Sequence, residues 1–263
     1  MKVGVCLKQV PATDTRIRIN GAGTGIETGD VKFETNPYDE YAVEAATQLK
    51  EQKKATEVVI FTLGEAGAES RIRDALARGA DRAVRLDDPA FAGSDSLGKA
   101  RILAAALKAE DISLVLCGRQ AVDTDSSSVP AMIAELLGFA QASWVDKLSV
   151  DGGNFSANRA AGSGAREVVT GALPAVVSCD KGLNTPRYAS LPNIMAAKKK
   201  PIVVKNAAAL GIDPASVGAG AALVVETRLT LPPGRPAGRI LQGDAATVAA
   251  ELVSLLRNEA KVI

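Results

Sequence analysis

A loop of glycine, aspartate and serine residues is the richest candidate for ligand chemistry in this sequence. The stretch GRQAVDTDSSSVP (118–130) follows the apolar run ISLVLC and leads into the helical pattern VPAMIAELLG. Gly118 permits a close backbone approach, and three consecutive serines supply hydroxyl and amide donors where the helix begins, which suits a phosphate group. Ordinary helix capping by serine explains the same residues. The residue types alone leave both interpretations open.

A second candidate is TNPYDEYAVEAA (35–46), at the start of another helical pattern. Asn36 and Pro37 indicate a turn, and Asp39 lies where its negative charge interacts favourably with the helix dipole. The spacing of these residues is therefore explained by a structural role alone.

Several kinds of chemistry are excluded by residues that the sequence lacks. It contains no histidine, which excludes Ser-His-Asp and Cys-His catalysis, a histidine general base and histidine-containing zinc sites. Neither a G-x-G-x-x-G fingerprint after the first apolar run nor a P-loop is present. Cys6, Cys117 and Cys179 stand singly beside apolar runs, which predicts reduced thiols and neither disulfides nor a metal site.

The charge balance and composition narrow the possible partners. With 31 Lys and Arg against 30 Asp and Glu, and only 3% aromatic residues, the chain offers neither a basic field nor many stacking surfaces for nucleic acid. Its apolar runs are too short for a signal peptide or a membrane helix. We therefore expect no nucleic acid partner, no membrane insertion, and a cytoplasmic or mitochondrial-matrix-like location.

The elements that must position these residues alternate along the chain. Continuous apolar runs, typical of buried parallel strands, lie at 2–10, 56–64, 82–88, 112–118 and 174–179. Helical patterns lie between them at 39–52, 68–80, 97–110 and 129–138. This alternation predicts an α/β fold with a doubly wound, mostly parallel, Rossmann-like sheet. Two glycine-containing insertions, at 16–39 and 147–176, are predicted to be antiparallel extensions of that sheet.

The C-terminal part of the chain has a different character. A Pro-Gly-rich stretch, LPPGRPAGRILQGD, precedes the amphipathic pattern DAATVAAELVSLLRNEAKVI. Such a helix cannot bury its apolar side within a short local fold, so we expect it to lie on another chain. We divide the chain into an α/β domain at 1–205 and a C-terminal arm at 206–263.

One further segment, LNTPRYASLPNIMAAKKKPI (183–202), fits neither a core helix nor a disordered tail. Leu191, Ile194 and Met195 are spaced as one face of a helical turn that ends in a run of lysines. An apolar face beside a terminal charge cluster is typical of an interaction surface.

The order and spacing of KQVP, NPYDEYAVEAA, ALARGADRAV, LCGRQAVDTD and LNTPRYASLPNIMAAKKKPI resemble the β subunit of electron transfer flavoproteins. The resemblance covers essentially the whole chain, including GRPAGRIL in the arm. It implies an electron carrier subunit, not an enzyme in itself, that forms a heterodimer with a homologous α subunit. Electrons would pass from flavin-dependent dehydrogenases, such as the acyl-CoA dehydrogenases of fatty acid oxidation, to a quinone reductase or another acceptor.

The resemblance also implies two sets of site residues. FAD would be held mostly by the α subunit, with Tyr38 of this chain approaching the flavin ring, and an AMP would be buried in the α/β core. The cofactor-binding residues would be Cys6, Asn36, Tyr38, Asp39, Leu63, Gly64, Gly118, Gln120, Ala121, Asp123, Asp125, Ser126, Ser127, Ser128 and Val129. The residues that dock partner dehydrogenases would be Arg187, Leu191, Pro192, Asn193, Ile194, Met195 and Lys198. Leu191 would be the tip that inserts into the partner, and Lys198, Lys199 and Lys200 would steer acidic partners.

The loop at 118–130 departs from the family pattern. Members commonly carry glutamine and glycine where this chain has Ser128 and Pro130, and proline has no amide to donate to a phosphate. We therefore expect weaker AMP binding than in a typical member. Bifurcating members, which bind a second FAD in place of AMP, share Val129 and the paired aspartates but not the rest of the loop, so we favour the simple shuttle with one FAD. An alternative of another class, a stand-alone adenine-nucleotide-binding regulator, would need neither the 183–202 segment nor the arm.

Overall fold

The computed structural model describes residues 1–235 and 237–263. Its strands are β1 (Lys2–Cys6), β2 (Gln9–Pro11), β3 (Phe33–Thr35), β4 (Glu57–Leu63), β5 (Arg82–Leu86), β6 (Leu114–Gly118), β7 (Ala140–Asp151), β8 (Asn154–Ala160), β9 (Arg166–Ala172), β10 (Ala175–Cys179) and β11 (Ile202–Lys205). Its α-helices are α1 (Pro37–Glu51), α2 (Glu69–Ala77), α3 (Ser96–Ala109), α4 (Val129–Leu137), α5 (Leu191–Ala197) and α6 (Ala245–Asn258).

Nine strands form the main sheet, in the order β11-β5-β4-β1-β6-β10-β7-β8-β9. All neighbouring pairs from β11 to β7 are parallel, and only β7–β8 and β8–β9 are antiparallel. The predicted doubly wound α/β fold is therefore confirmed. Because the chain winds outward from β1 in both directions, the carboxyl ends of β1 and β6 open onto the crevice where such folds bind ligands.

Helices cover both faces of the parallel part of the sheet. On one face, residues such as Val5 and Leu116 pack in a core with Ala42 of α1 and Leu76 of α2. On the other face, a second core includes Phe61, Val115, Leu107 of α3 and Ile133 of α4. Since strands buried on both faces need apolar residues throughout, this layering explains the continuous apolar runs of the sequence.

Of the two segments predicted to extend the sheet, only one does so. The excursion after β7 does extend the sheet, through β7, β8 and β9, with Gly152 and Gly153 in the left-handed region at the first turn. The pairings at 16–39 are antiparallel as predicted, but the prediction that they extend the main sheet is wrong, because β3 pairs with β2 in a separate two-stranded sheet and Ile19 and Ile26 form an isolated bridge. The chain leaves the main sheet after β1, where the amide of Lys8 donates to the Asp39 carboxylate.

The C-terminal arm has two parts with different environments. Residues 207–222 lie against the α/β domain, where Ala207 and Val217 are buried in the second core. The predicted C-terminal helix is present as α6, which buries none of its own residues and exposes Leu252 and Val253. Within the described residues, no helix is both long enough and apolar enough to cross a bilayer.

Candidate functional site

Asp39 is the central polar group at the carboxyl ends of β1 and β6. Its side chain, on the first turn of α1, is 5% exposed. One oxygen accepts the amide of Lys8 at 2.7 Å, and the other accepts the Asn36 amide group at 2.9 Å and the amide of Gly118 at 3.0 Å. Burial raises the pKa of Asp39 to about 7, although these hydrogen bonds act in the opposite direction. The carboxyl group thereby joins the end of β1, the end of β6 and the start of α1.

Gly118 allows that junction to close. A Cβ at this position would lie 2.3 Å from Oδ1 of Asp39 and 2.8 Å from the backbone carbonyl carbon of Tyr38. The sequence indicated a close approach at Gly118, and the structure shows that the group approaching it is the first turn of α1. Glycine at this position is a packing requirement of the site.

Asn36 holds the loop at 118–130 in place from the other side. Its Nδ2 donates to the carbonyl of Gln120 at 2.9 Å, and its Oδ1 accepts the amide of Val122 at 3.2 Å. Within the loop, the Gln120 side chain donates to Asp125 at 2.6 Å and accepts the Ser127 hydroxyl at 3.2 Å. The two candidate stretches of the sequence thus form one hydrogen-bonded unit.

The loop at 118–130 turns sharply before α4 and carries serine hydroxyls that can donate hydrogen bonds. Asp125 and Ser127 lie in the left-handed region, at φ 49° and 52°, so the chain turns sharply before α4. Among the described residues, the hydroxyls of Ser126 and Ser128 have no hydrogen-bond partner. Of the two nearby acids, Asp123 is paired with Lys8 at 2.7 Å and Asp125 with Gln120. These pairings reduce the repulsion that an anion would meet at the loop.

The remaining predicted cofactor residues surround this unit. Cys6 ends β1 opposite Cys117 of β6 and is partly exposed, while Leu63 ends β4 and Gly64 follows it on the other side of β1. The three cysteines are free thiols, as predicted. A hydrogen bond with Cys6, and then burial, raise the pKa of the Cys117 thiol, and burial raises the pKa of Cys179. Ala121, Ser126 and Val129 lie on the loop itself.

Sequence reasoning missed an aromatic and cationic cluster next to the loop. The Arg119 guanidinium lies 4.4 Å from the ring centroid of Trp144 and 5.4 Å from that of Tyr38, and it pairs with Asp180 at 3.0 Å. Trp144 has a φ of 60°, and its amide donates to the buried Ser178 hydroxyl at 2.9 Å. Left-handed geometry costs a non-glycine residue about 1 kcal/mol or more, and Trp144 adopts it where the register between β7 and β10 shifts. The signal was the one tryptophan of the sequence, which lies within β7.

The helix α5 is the second candidate site, on another part of the surface. Leu191, Ile194 and Met195 are 79%, 42% and 61% exposed, and they project from the helical turn that their spacing predicted. Ser190 caps the helix by accepting the amide of Asn193, and Pro192 occupies its first turn. The exposed apolar face is thus carried on a defined helix.

Arg187, which precedes α5, forms ion pairs with two carboxylates. It donates to Glu44 at 2.8 and 2.9 Å and to Glu51 at 2.5 and 2.9 Å, both on α1. Hydrogen bonds to Glu51 and Glu44 raise the pKa of Arg187. Burial alone would raise the pKa of Glu44, but its hydrogen bonds with Arg187 hold it below the ordinary value. These contacts hold the segment that precedes α5 against α1.

Lys200 is likewise engaged within the chain. Its ammonium donates to the carbonyls of Leu76 and Ala80 near the end of α2. The Lys200 charge is therefore placed at the end of α2, and the steering of acidic partners by this run of lysines stays a prediction. Lys198 and Lys199 are exposed.

Comparison with known proteins adds an independent line of evidence. The family model described as "Electron transfer flavoprotein domain" matches residues 24–210. The chain is 43% identical over 263 residues, 100% of both chains, to "Electron transfer flavoprotein subunit beta" of Bradyrhizobium diazoefficiens. It is 40% identical over 265 residues, again 100% of both, to a protein of that name, termed mitochondrial, from Oryza sativa subsp. japonica. It is also 36% identical over 262 residues, 98% of this chain and 99% of the other, to "Caffeyl-CoA reductase-Etf complex subunit CarD" of Acetobacterium woodii.

Proposed function

Because the chain belongs to the electron transfer flavoprotein family, we propose that it is the β half of a heterodimeric electron carrier. It pairs with an α subunit that holds most of the FAD, and the heterodimer passes electrons from flavin-dependent dehydrogenases to a quinone reductase or another acceptor. The chain is a carrier subunit and catalyses no reaction on its own. Bacterial and plant mitochondrial relatives support a cytoplasmic or matrix-like location.

The exposed apolar face of α5 is the observation that carries this proposal. A shuttle must bind each partner briefly, and a small apolar anchor with a polar surround gives affinity without a large interface. Leu191 is the most exposed of the three apolar side chains at 79%. We assign it to the centre of the contact with the dehydrogenase, with Ile194 and Met195 beside it. Arg187 supports this surface through its contacts with Glu44 and Glu51 of α1.

The loop at 118–130 is proposed to hold an adenine nucleotide. The free hydroxyls of Ser126 and Ser128 and the start of α4 suit its phosphate, while Asn36 and Asp39 keep the loop against β1 and β6. Pro130 occupies the first turn of α4 and has no amide to contribute. The loop would therefore offer the nucleotide one backbone donor fewer than it would with glycine at position 130.

FAD supplies the redox chemistry when it is bound. The residues of this chain contribute orientation and shielding. The ring of Tyr38, held beside Arg119, is proposed to face the flavin and limit its contact with water. Asp39 and Gly118 fix the first turn of α1, and with it the position of Tyr38.

Two preparations test the division of labour between the subunits. The chain expressed alone is expected to be colourless, whereas co-expression with its α subunit gives a yellow heterodimer. Denaturing that heterodimer should release one FAD and AMP at or below one equivalent. Tight, stoichiometric FAD on the isolated chain would contradict the proposal. Two FAD and no AMP would instead establish the bifurcating alternative, and a functional chain without an α subunit would favour the nucleotide-binding regulator.

Leu191→Ala tests the docking surface. Removing a side chain that becomes buried at an interface costs about 1–3 kcal/mol, so the KM of an acyl-CoA dehydrogenase for the heterodimer should rise about five-fold or more. Flavin content and heterodimer stability should not change. Leu136→Ala, at an exposed position near the end of α4, is the matched control. Equal kinetics for the two variants would remove the docking assignment.

A further inference from the structure

The helix α5 is too short to be stable by itself. It has seven residues, and isolated helices below about 12 residues are marginal in water. Its large apolar side chains face solvent, and Ala197 is its only buried residue. Burial of an apolar face therefore does not explain why this segment is helical, and the contacts at its ends must do so.

A cation from α2 satisfies the carboxyl end of α5. Nη1 of Arg73 donates to the carbonyl of Ala197 at 2.8 Å and to that of Lys200 at 2.6 Å. Glu69, one turn earlier on α2, orients the same guanidinium through a contact of 3.2 Å. The last carbonyls of a helix lack partners within the helix and carry its negative dipole end, so a cation there stabilises it.

A cation that follows α5 makes the reciprocal contact with α2. Nζ of Lys200 donates to the carbonyl of Leu76 at 2.8 Å and to that of Ala80 at 2.5 Å. Burial lowers the pKa of Lys200, in keeping with its position between the two helices. Each of the two helices thus receives, at its carboxyl end, a cation from the segment that contains the other helix. We name this pair of contacts, Arg73 to the end of α5 and Lys200 to the end of α2, the reciprocal brace.

We propose that Arg73 and Lys200 are positioning residues for partner docking. The reciprocal brace keeps α5 folded before a partner arrives, so that Leu191, Ile194 and Met195 are presented without an ordering cost on binding. The inference rests on the proposed docking role of α5. If loss of the brace leaves α5 folded for only a fraction of the time, the apparent dissociation constant rises by the inverse of that fraction.

Kinetics separate this role from a general contribution to stability. The large apolar side chains of α5 lie outside both cores, so α5 can unfold locally while the sheet and its helices stay intact. Once a dehydrogenase is bound, α5 is ordered by the contact itself. Loss of the brace is therefore expected to raise KM and to leave kcat unchanged.

Lys200→Met in the FAD-loaded heterodimer is the direct test. With an acyl-CoA dehydrogenase reduced by its acyl-CoA, followed anaerobically by flavin reduction, we expect KM to rise three- to ten-fold at constant kcat. Lys200→Arg, which retains a donor of similar reach, should recover part of the loss. Hydrogen exchange should accelerate in the peptide that covers 190–197 and not in peptides from β1 or β6.

Lys199→Met is the matched control. It removes the same charge one position away, and the Lys199 side chain has no hydrogen-bond partner among the described residues. Any effect of this variant comes from charge steering and fades at high ionic strength, whereas the effect of Lys200→Met persists. Equal KM values for the two variants at high ionic strength would overturn the brace.

Ser190→Ala provides a test that does not involve α2. Ser190 is exposed and caps the opposite end of α5, so its loss should raise KM and hydrogen exchange in the same direction even where Lys200→Met folds poorly. Unchanged KM in both Ser190→Ala and Lys200→Met, beside a raised KM in Leu191→Ala, would reject the brace and retain docking through α5. Unchanged KM in Leu191→Ala as well would reject docking through α5 itself.

Discussion

Replacing Asp39 by asparagine changes one atom at the junction of β1, β6 and α1. The amide oxygen can still accept hydrogen bonds from Asn36 and Gly118, which share Oδ1 in the wild type. The new amino group then faces the amide of Lys8, which donates to Oδ2 at 2.7 Å. Two donors oppose each other in a buried place, and one of them loses its partner.

The structure sets the size and the pH dependence of this effect. An unsatisfied buried donor costs about 1–3 kcal/mol, and this cost falls on the variant at every pH. The wild type carries a different cost, because burial raises the pKa of Asp39 to about 7 from an ordinary value near 4. A raised pKa means that the folded state binds the proton more tightly, so this contribution to stability is complete below about pH 4. It is lost as the pH rises through about 7, and the variant has no such loss.

Urea unfolding of the full-length chain at a series of pH values measures the difference. At pH 4 the variant should be less stable by about 1–3 kcal/mol. Three pKa units correspond to about 4 kcal/mol, so by pH 8 the variant should be at least as stable as the wild type. Parallel pH profiles for the two proteins would refute the reasoning. A difference that grows with pH would show that the hydrogen bonds to Asp39 outweigh its burial.

Three further changes test other parts of the molecule. Gly118→Ala should lower the free energy of unfolding by about 2 kcal/mol or more, because its Cβ would clash with Asp39; a urea midpoint like that of the wild type would contradict this packing. Ser128→Gln combined with Pro130→Gly should increase the AMP retained by the heterodimer through dialysis, measured after denaturation; an unchanged amount would place the weakness outside the loop. Arg187→Met should lower the free energy of unfolding by about 2 kcal/mol at pH 7, since Glu44 loses its partner. The depressed pKa of Glu44 means that this loss should diminish as the pH falls below about 4, and a loss that is constant with pH would show that the ion pair is not its source.

Local patterns were sufficient to predict most of the α/β architecture. All five residues of β6 are buried, so burial on both faces was visible in the sequence as a continuous apolar run. The helix expected at 39–52 runs from Pro37 to Glu51, since proline is well suited to the first turn. The exposed turn of α5 was predicted equally well, because the spacing of its apolar residues defines one face of a helix.

The errors and omissions come from contacts between distant parts of the chain. The route of the chain after β1 depends on the bond between Lys8 and Asp39, 31 residues apart, which no local pattern reveals. The environment of Arg119 depends on Trp144 and Asp180, which come from other strands. The acceptors of Lys200, the carbonyls of Leu76 and Ala80, lie at least 120 residues away in the sequence, so the run of lysines does not reveal them.

Helix α1 connects the two candidate sites, the crevice at β1 and β6 and the segment that carries α5. Its first turn carries Asp39 at the proposed cofactor crevice, and its last turn carries Glu51, which holds Arg187 below the docking segment. Twelve residues of α-helix separate the two positions, about 18 Å at 1.5 Å per residue. A helix cannot stretch, so the proposed docking of a partner on α5 would place that partner at a set distance from the crevice. On this proposal the number of turns in α1 sets the distance between donor and cofactor, and adding or removing one turn would change it by about 5.4 Å.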